Sequence, residues 1–517
     1  MARQSVRTSL IFAAALSGAA LALMVSAASA HGFGDRYDLP IPLNYFMVGA
    51  AAAVAASFVV IGLFVNATPG KFNYPRYNLL RAPVIGALIS STVTLNIVRI
   101  IAVGLFALTL ATALFGSGRP LDNFAPTWVW IIWWVGMGYV SALVGNLWWL
   151  VNPWKIVYEW VSVLLDPDGE SDEGLFDYPE WLDVWPAFAL FFAFAWLENV
   201  YTSSALPFKL GVLILAYSAI TWGGMVAFGK RRWLTHGEAF TVLFGYFARF
   251  APTEVRNTDP RYCGKCSQEC NIDHEGCVDC FECFDRARAS DRQLNLRPYA
   301  VGLVHYKSVT AGAAAFVLLA LATVTYDGLS ETGIWLDFQN LVYPAFSWLG
   351  SSSRPAINTF GLIAIPLLFA ALYVLFSQAM KAASGDSAPV SEFVRIFVFS
   401  LIPIALAYNM AHFFSLLLFE GQAVIPLASD PFGQGWNLFG TADYRIKRGF
   451  LTAKIVWFVS IGAIVLGHIL SVFIAHVISL KRFASRQSAM KSQYPMLALI
   501  VLYTAASLWI LAQPIVQ

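Results

Sequence analysis

Charge is what this sequence has least of. Only 12% of its 517 residues are Asp, Glu, Lys or Arg, against ~25% in an ordinary soluble domain. Instead 58% are hydrophobic and the mean hydropathy is +0.63, a balance that excludes a soluble globular chain. A net charge of +2 gives no basic surface for nucleic acid, and the basic residues stand at the ends of apolar runs rather than in a patch. There is no Walker loop, no G-x-G-x-x-G opening a βα unit and no nucleophile–His–acid pattern, so nucleotide-driven work and hydrolysis are not expected. Cysteine is scarce as well: the chain has six, all within residues 263–283.

What is present is lipid-compatible sequence. Residues 1–30 carry Arg3 and Arg7, an apolar stretch and an Ala28-Ser29-Ala30 ending, the three regions of a cleavable signal peptide. Cleavage would expose His31, whose amine and imidazole suit copper, although no second histidine lies nearby in sequence. Apolar runs near the ~20 residues needed to cross a bilayer follow at 45–65, 95–115, 128–151, 184–201, 206–228, 308–326, 359–380, 393–417, 455–477 and 496–515. The apolar stretch before Arg99 can add a half-span. The expected fold is an all-α polytopic membrane protein of about ten transmembrane helices, divided into a bundle over 31–250, a cysteine-rich insertion over 251–298 and a second bundle over 299–517.

Inward loops of such proteins are rich in Lys and Arg. With the mature N-terminus outside, alternation places Lys71, Arg76 and Arg81, then Lys230–Arg232, then the whole cysteine loop, on the inner side of a bacterial-type cytoplasmic membrane. Arg445, Lys447 and Arg448 fall in an outward loop and resist the pattern. The segment Trp154–Trp160 is amphipathic and aromatic, as a helix lying in the interface would be.

The six cysteines, Cys263, Cys266, Cys270, Cys277, Cys280 and Cys283, follow the order C-x2-C-x3-C-x6-C-x2-C-x2-C. Thiolates at C-x2-C spacing can reach one soft metal from a single turn, and zinc and iron–sulfur sites both use this. Thiols on the cytoplasmic side are kept reduced, so metal is expected ahead of a disulfide knot. The run Cys277-x2-Cys280-x2-Cys283 matches the three-ligand portion of a bacterial ferredoxin arrangement, and residues 263–283 resemble the cluster-binding segments of bacterial membrane-bound polyferredoxins. No proline follows Cys270 or Cys283, where that motif ends in C-P. The resemblance implies one [4Fe–4S] cluster on Cys277, Cys280 and Cys283 plus one of the other three. Zinc on four of the six, with His274 as an optional ligand, is the alternative. Phe281 and Phe284 would shield a cluster from water, and Arg286, Arg288, Arg292 and Arg297 would mark the membrane surface.

Ionisable groups inside a span are costly and count as functional candidates. Glu198, for protons or an ion, Arg99, His412, His468 and His476 qualify, with His305 close to the cysteine loop. His468 and His476 differ by about 80° around their helix and about 12 Å along it, so they cannot both bind one iron. A haem b between His305 and His476 is geometrically allowed. The leading expectation is electron transfer from a cytoplasmic donor, through an iron–sulfur centre, to a quinone or haem in the bilayer. The alternatives are a transporter or channel with a zinc-stabilised cytoplasmic domain, and a factor inserting metal into a respiratory complex.

Overall fold

A backbone crossing lipid must satisfy its own hydrogen bonds, and a helix does so within one segment. In the computed structural model, which describes residues 37–65, 74–165, 174–259, 261, 271–273, 276–304 and 309–513, the apolar runs are helical. The expected signal peptide, His31, Cys263, Cys266, Cys270, His274 and His305 lie outside the described residues. The principal helices in chain order are α1 (Leu43–Phe64), α2 (Thr92–Phe115), α3 (Trp134–Leu143), α4 (Pro153–Leu165), α5 (Trp185–Asn199), α6 (Pro207–Phe228) and α7 (Lys230–His236). They continue with α8 (Ala239–Ala248), α9 (Phe281–Arg286), α10 (Ala311–Ser330), α11 (Ser353–Ser384), α12 (Ile402–Phe419), α13 (Ala453–Arg482) and α14 (Arg486–Ala512).

Among the described residues nine helical segments are long and apolar enough to cross a bilayer, and they coincide with nine of the ten expected runs. This is the make-up of a multi-pass helical membrane protein. The tenth run, 128–151, is divided: a π-helical stretch at Trp128–Trp133 leads into α3, which stops before Gly145. Gly145 has φ of 148°, and a Cβ there would lie 1.9 Å from Thr253 Oγ1, so the chain turns where only glycine fits. The expected half-span before Arg99 is the eight-residue helix Pro83–Ser90. At about 1.5 Å per residue it covers some 12 Å, far short of the ~30 Å hydrocarbon layer. Ser91 then ends it and caps α2, its hydroxyl accepting from Thr94 N–H.

The chain forms two compact units. In the one comprising Met1–Asn73, Val304–Phe414 and Leu451–Gln517, α13 and α14 pack together, α1 lies along both, and α11 contacts α10 and α14. Alanine-rich α10 is 83% buried over its apolar window, α1 only 22%. A helix apolar all round belongs in the middle; α1 turns Val48, Val59, Leu63 and Phe64 outward, a face suited to lipid.

The unit of Tyr74–Leu303 and Ser415–Phe450 packs α2 on α6 and α8 on α3 and α5. Aromatic rings fill it: Trp134 meets Phe194 with centroids 4.7 Å apart, and Trp133 meets Phe240 at 4.6 Å. The amphipathic segment is α4, which buries Trp154 and Ile156 and exposes Val163 and Leu164.

The cysteine-rich insertion departs from the all-α expectation. It is built on a five-stranded antiparallel sheet in the order β1-β5-β2-β4-β3, with β1 Tyr77–Asn78, β2 Thr253–Asn257, β3 Asn271–Asp273, β4 Gly276–Val278 and β5 Arg292–Leu296. These strands are too short for an alternating pattern to show. β2, which with β5 is the longest at five residues, carries Glu254 and Arg256, charged yet only 1% exposed.

Candidate metal centre

Three of the cysteines are brought together by a strand, a turn and a helix. Cys277 sits in β4, paired in register with Asn257 of β2. One residue earlier, Gly276 has φ of 127°, and a Cβ there would meet Asn257 O at 2.0 Å, so the tight entry to the strand requires glycine. After Val278 the chain reverses through Asp279, left-handed at φ 55°, a conformation Asp tolerates better than most residues. Its N–H donates to Val255 O at 2.9 Å, pinning the turn to β2. Cys280 then caps α9, its sulfur accepting from Cys283 N–H at 3.5 Å. The C-x2-C-x2-C spacing therefore places its cysteines on the strand, at the cap and in the first helical turn.

The sulfurs of Cys277, Cys280 and Cys283 all lie within 4.8 Å of one another, with Cys277 and Cys283 at 3.4 Å. Cys277 and Cys283 are at most 1% exposed. Among the described residues this is the sole group of three or more metal-capable side chains at ligand spacing. Cys283 is engaged in a disulfide, whereas Cys277 and Cys280 are not disulfide-bonded. A sulfur cannot hold that bond and a metal as thiolate at once, so ligation belongs to the reduced form. The donor set fits a soft metal: three thiolates, with an N–H donor on one of them. A single tetrahedral ion with metal–sulfur bonds of about 2.3 Å spaces its sulfurs at about 3.8 Å, close to what is seen. In a [4Fe–4S] cluster each thiolate binds a different iron and a fourth ligand is needed, so these three residues would have to spread apart.

Behind the turn lies a buried ionic network. Arg297 Nη1 donates to Asp279 Oδ2 at 2.8 Å and to Glu254 Oε2 at 3.1 Å, and Arg256 Nε reaches Glu254 Oε1 at 3.1 Å. Glu254 also accepts from the Tyr74 O–H at 2.6 Å and from Asn295 Nδ2 at 2.9 Å. Two cations face two carboxylates, so the buried charges balance, as burial requires. Burial favours the neutral form of Glu254, but the Tyr74 hydroxyl, then Arg297, Asn295 and Arg256, outweigh it and hold its carboxyl below the usual range. Burial raises Asp279, with the charge of Glu254 adding to it and Arg297 opposing. Arg297 was expected at the lipid surface; it is instead 4% exposed, because two carboxylates need it inside. Phe281 packs against Trp149 with centroids 5.5 Å apart and the rings tilted by 33°, and Phe284 lies beneath the Arg292 guanidinium at 5.6 Å.

The other candidates do not converge. His412 Nε2 lies 3.0 Å from Asp327 Oδ2 in α10; sequence reasoning missed Asp327, although an acid inside an apolar run was a signal. His468 Nδ1 lies 2.7 Å from Ile464 O one turn back, while its Nε2 is buried with no hydrogen-bond partner. His476 sits between Gln493 Oε1 at 2.8 Å and Val65 O at 3.3 Å, so an iron there would have to displace one of them. Glu198 accepts from Trp134 Nε1 at 2.6 Å, and Arg99 pairs with Glu159 at 3.5 Å. A buried acid that sequence reasoning also missed, Glu238, caps α8 by accepting from Phe240 N–H and Thr241 N–H.

Comparison of the chain with protein-family models, with curated proteins and with solved structures finds no match in any of the three.

Proposed function

We propose that this chain is a multi-pass membrane protein that moves a small solute, its sheet insertion held together by one tetrahedral thiolate-bound ion, zinc in the first instance. The observation that carries the metal assignment is the 4.8 Å convergence of Cys277, Cys280 and Cys283, tighter than a four-iron cluster asks for and suited to a single ion. One further ligand from Cys263, Cys266 or Cys270 completes four. Facing the cytoplasm would keep the sulfurs reduced. Transport is supported by polar groups set singly within apolar helices, His412 with Asp327 and Glu198 with Trp134, where ionisable residues line solute and proton paths.

Electron transfer through an iron–sulfur centre is the second reading, favoured by the uninterrupted C-x2-C-x2-C run. In it Cys277, Cys280 and Cys283 hold the cluster, and a cytoplasmic donor and a quinone or haem are the partners. Metal and acid-labile sulfide analysis with EPR on anaerobically purified protein separates the two. One zinc per chain with no sulfide supports the first; iron with equal sulfide and a cluster signal overturns it. Solute uptake into liposomes that survives a zinc-to-iron difference but fails on Asp327→Asn would tie transport to the helices.

A further inference from the structure

Within the unit that carries the cysteines, a cavity of about 210 Å³ opens beside α9. It is below the ~300–1,000 Å³ of pockets built for drug-sized ligands, so its occupant is a small group, free or at the end of a larger molecule. Its walls are charged. Among the described residues, Arg99 of α2, Lys155 of α4, and Lys230 and Arg231 of α7 contribute four cations, and Glu159 and Asp285 two carboxylates; four minus two leaves two positive charges. Glu159 is already shared, with Lys230 at 3.2 Å, Arg99 at 3.5 Å and Lys155 at 4.0 Å. Asp285 is held to one wall by the Trp149 indole N–H at 3.1 Å.

Two of these cations are only partly answered. Lys155 is 5% exposed, and its ammonium has the Trp149 carbonyl at 3.0 Å and the Trp149 ring face at 4.4 Å, while the carboxylate of Glu159, shared with two other cations, is no nearer than 4.0 Å. Burial accordingly lowers its proton affinity, against the pull of Asp285 and Glu159. Arg99 Nε is buried with no hydrogen-bond partner. A buried cation that only shares a carboxylate with its neighbours is incompletely compensated, and an anion in the cavity would complete the balance. We propose that this cavity binds a phosphoryl-type dianion, either inorganic phosphate or the headgroup of a phosphomonoester lipid. Guanidinium and ammonium donors on three helices match an oxyanion, and charge-assisted bonds of this kind are the strong ones. The site is independent of which metal the cysteines hold.

The test uses the full-length protein in phosphatidylcholine nanodiscs, followed by thermal unfolding at constant ionic strength. Saturable stabilisation by inorganic phosphate, with chloride inactive, identifies the free anion. Stabilisation only when phosphatidic acid replaces part of the phosphatidylcholine identifies the headgroup. In either case Lys230→Gln with Arg231→Gln should weaken the effect at least about tenfold, the loss of a charge-assisted hydrogen bond. Lys230→Arg should keep it, as should Arg119→Gln, an exposed position paired with Asp122. No effect of either phosphate or phosphatidic acid on the wild-type protein, or an equal effect on the Lys230→Gln/Arg231→Gln variant, overturns the proposal. Should that variant fail to fold, Lys230→Arg against Lys230→Gln alone gives the same comparison.

Discussion

The sheet insertion and the apolar helices treat their polar residues in opposite ways. In the insertion, polar side chains from distant parts of the chain converge: Tyr74, Glu254, Asp279, Asn295 and Arg297 form one network, in front of which three sulfurs meet. In the apolar helices the candidates stay apart: His412 faces Asp327, His476 lies between Gln493 and the Val65 carbonyl, and Glu198 accepts from Trp134. Convergence makes a centre that can bind something by itself. Single pairs position helices or line a path, and they acquire chemistry only when a solute or proton passes. The sheet should therefore be the region whose stability depends on a metal, and the helices α13 and α14 should not.

The largest effect that can break this contrast is removal of a sulfur. Thiolate-bound structural metals contribute on the order of 10 kcal/mol to the domains they hold, so Cys283→Ser should cost the metal and unfold the insertion. Hydrogen exchange should then lose protection in β2, β4 and β5 while α13 and α14 keep theirs; equal loss in both would dissolve the distinction. Arg297→Leu comes next. It leaves Glu254 and Asp279 buried without their shared cation, at a cost of about 3–5 kcal/mol, read as a lower unfolding temperature for the sheet with metal still bound at low temperature.

Acid should act on the same network in two stages. Asp279 has a raised folded pKa, so its penalty is present above that value and is relieved as pH falls through it toward the ordinary ~3.9. Glu254 has a lowered one; its contribution is complete above the ordinary ~4.3 and is lost as pH falls through the folded value. Stability of the insertion should therefore rise slightly on mild acidification and then drop below about pH 4. A loss that begins near neutrality would mean the network is not the controlling group.

The helices were legible because a twenty-residue apolar run has one solution in lipid, and the cysteine triad because C-x2-C-x2-C is a local spacing that any tight turn gathers. What failed was long-range. β1 comes from residues 77–78 and pairs with Leu296 and Asn295, a partnership no local pattern announces. Arg297 looked like a surface charge because its burial depends on Glu254 and Asp279 folding around it. The run at 128–151 looked continuous because its hydropathy is, whereas Gly145 sets the break by conformation. His412 was visible as an oddity in its span, but its meaning needed Asp327, 85 residues away.

The smallest expected effect sharpens the contrast most. Glu198→Gln keeps an acceptor oxygen for Trp134 Nε1, exchanging a charged partner, worth about 1.5–3 kcal/mol, for a neutral one near 1. If Glu198 only positions α5 against α3, the variant should lose about 1 kcal/mol of stability and leave solute uptake and its pH dependence unchanged. A carboxyl that carries a proton or a cation cannot be replaced by an amide, because the amide neither ionises nor releases a proton near neutral pH. Uptake that collapses in Glu198→Gln but returns in Glu198→Asp, with the fold intact in both, would move this residue from the paired, structural class into the working path of the membrane helices.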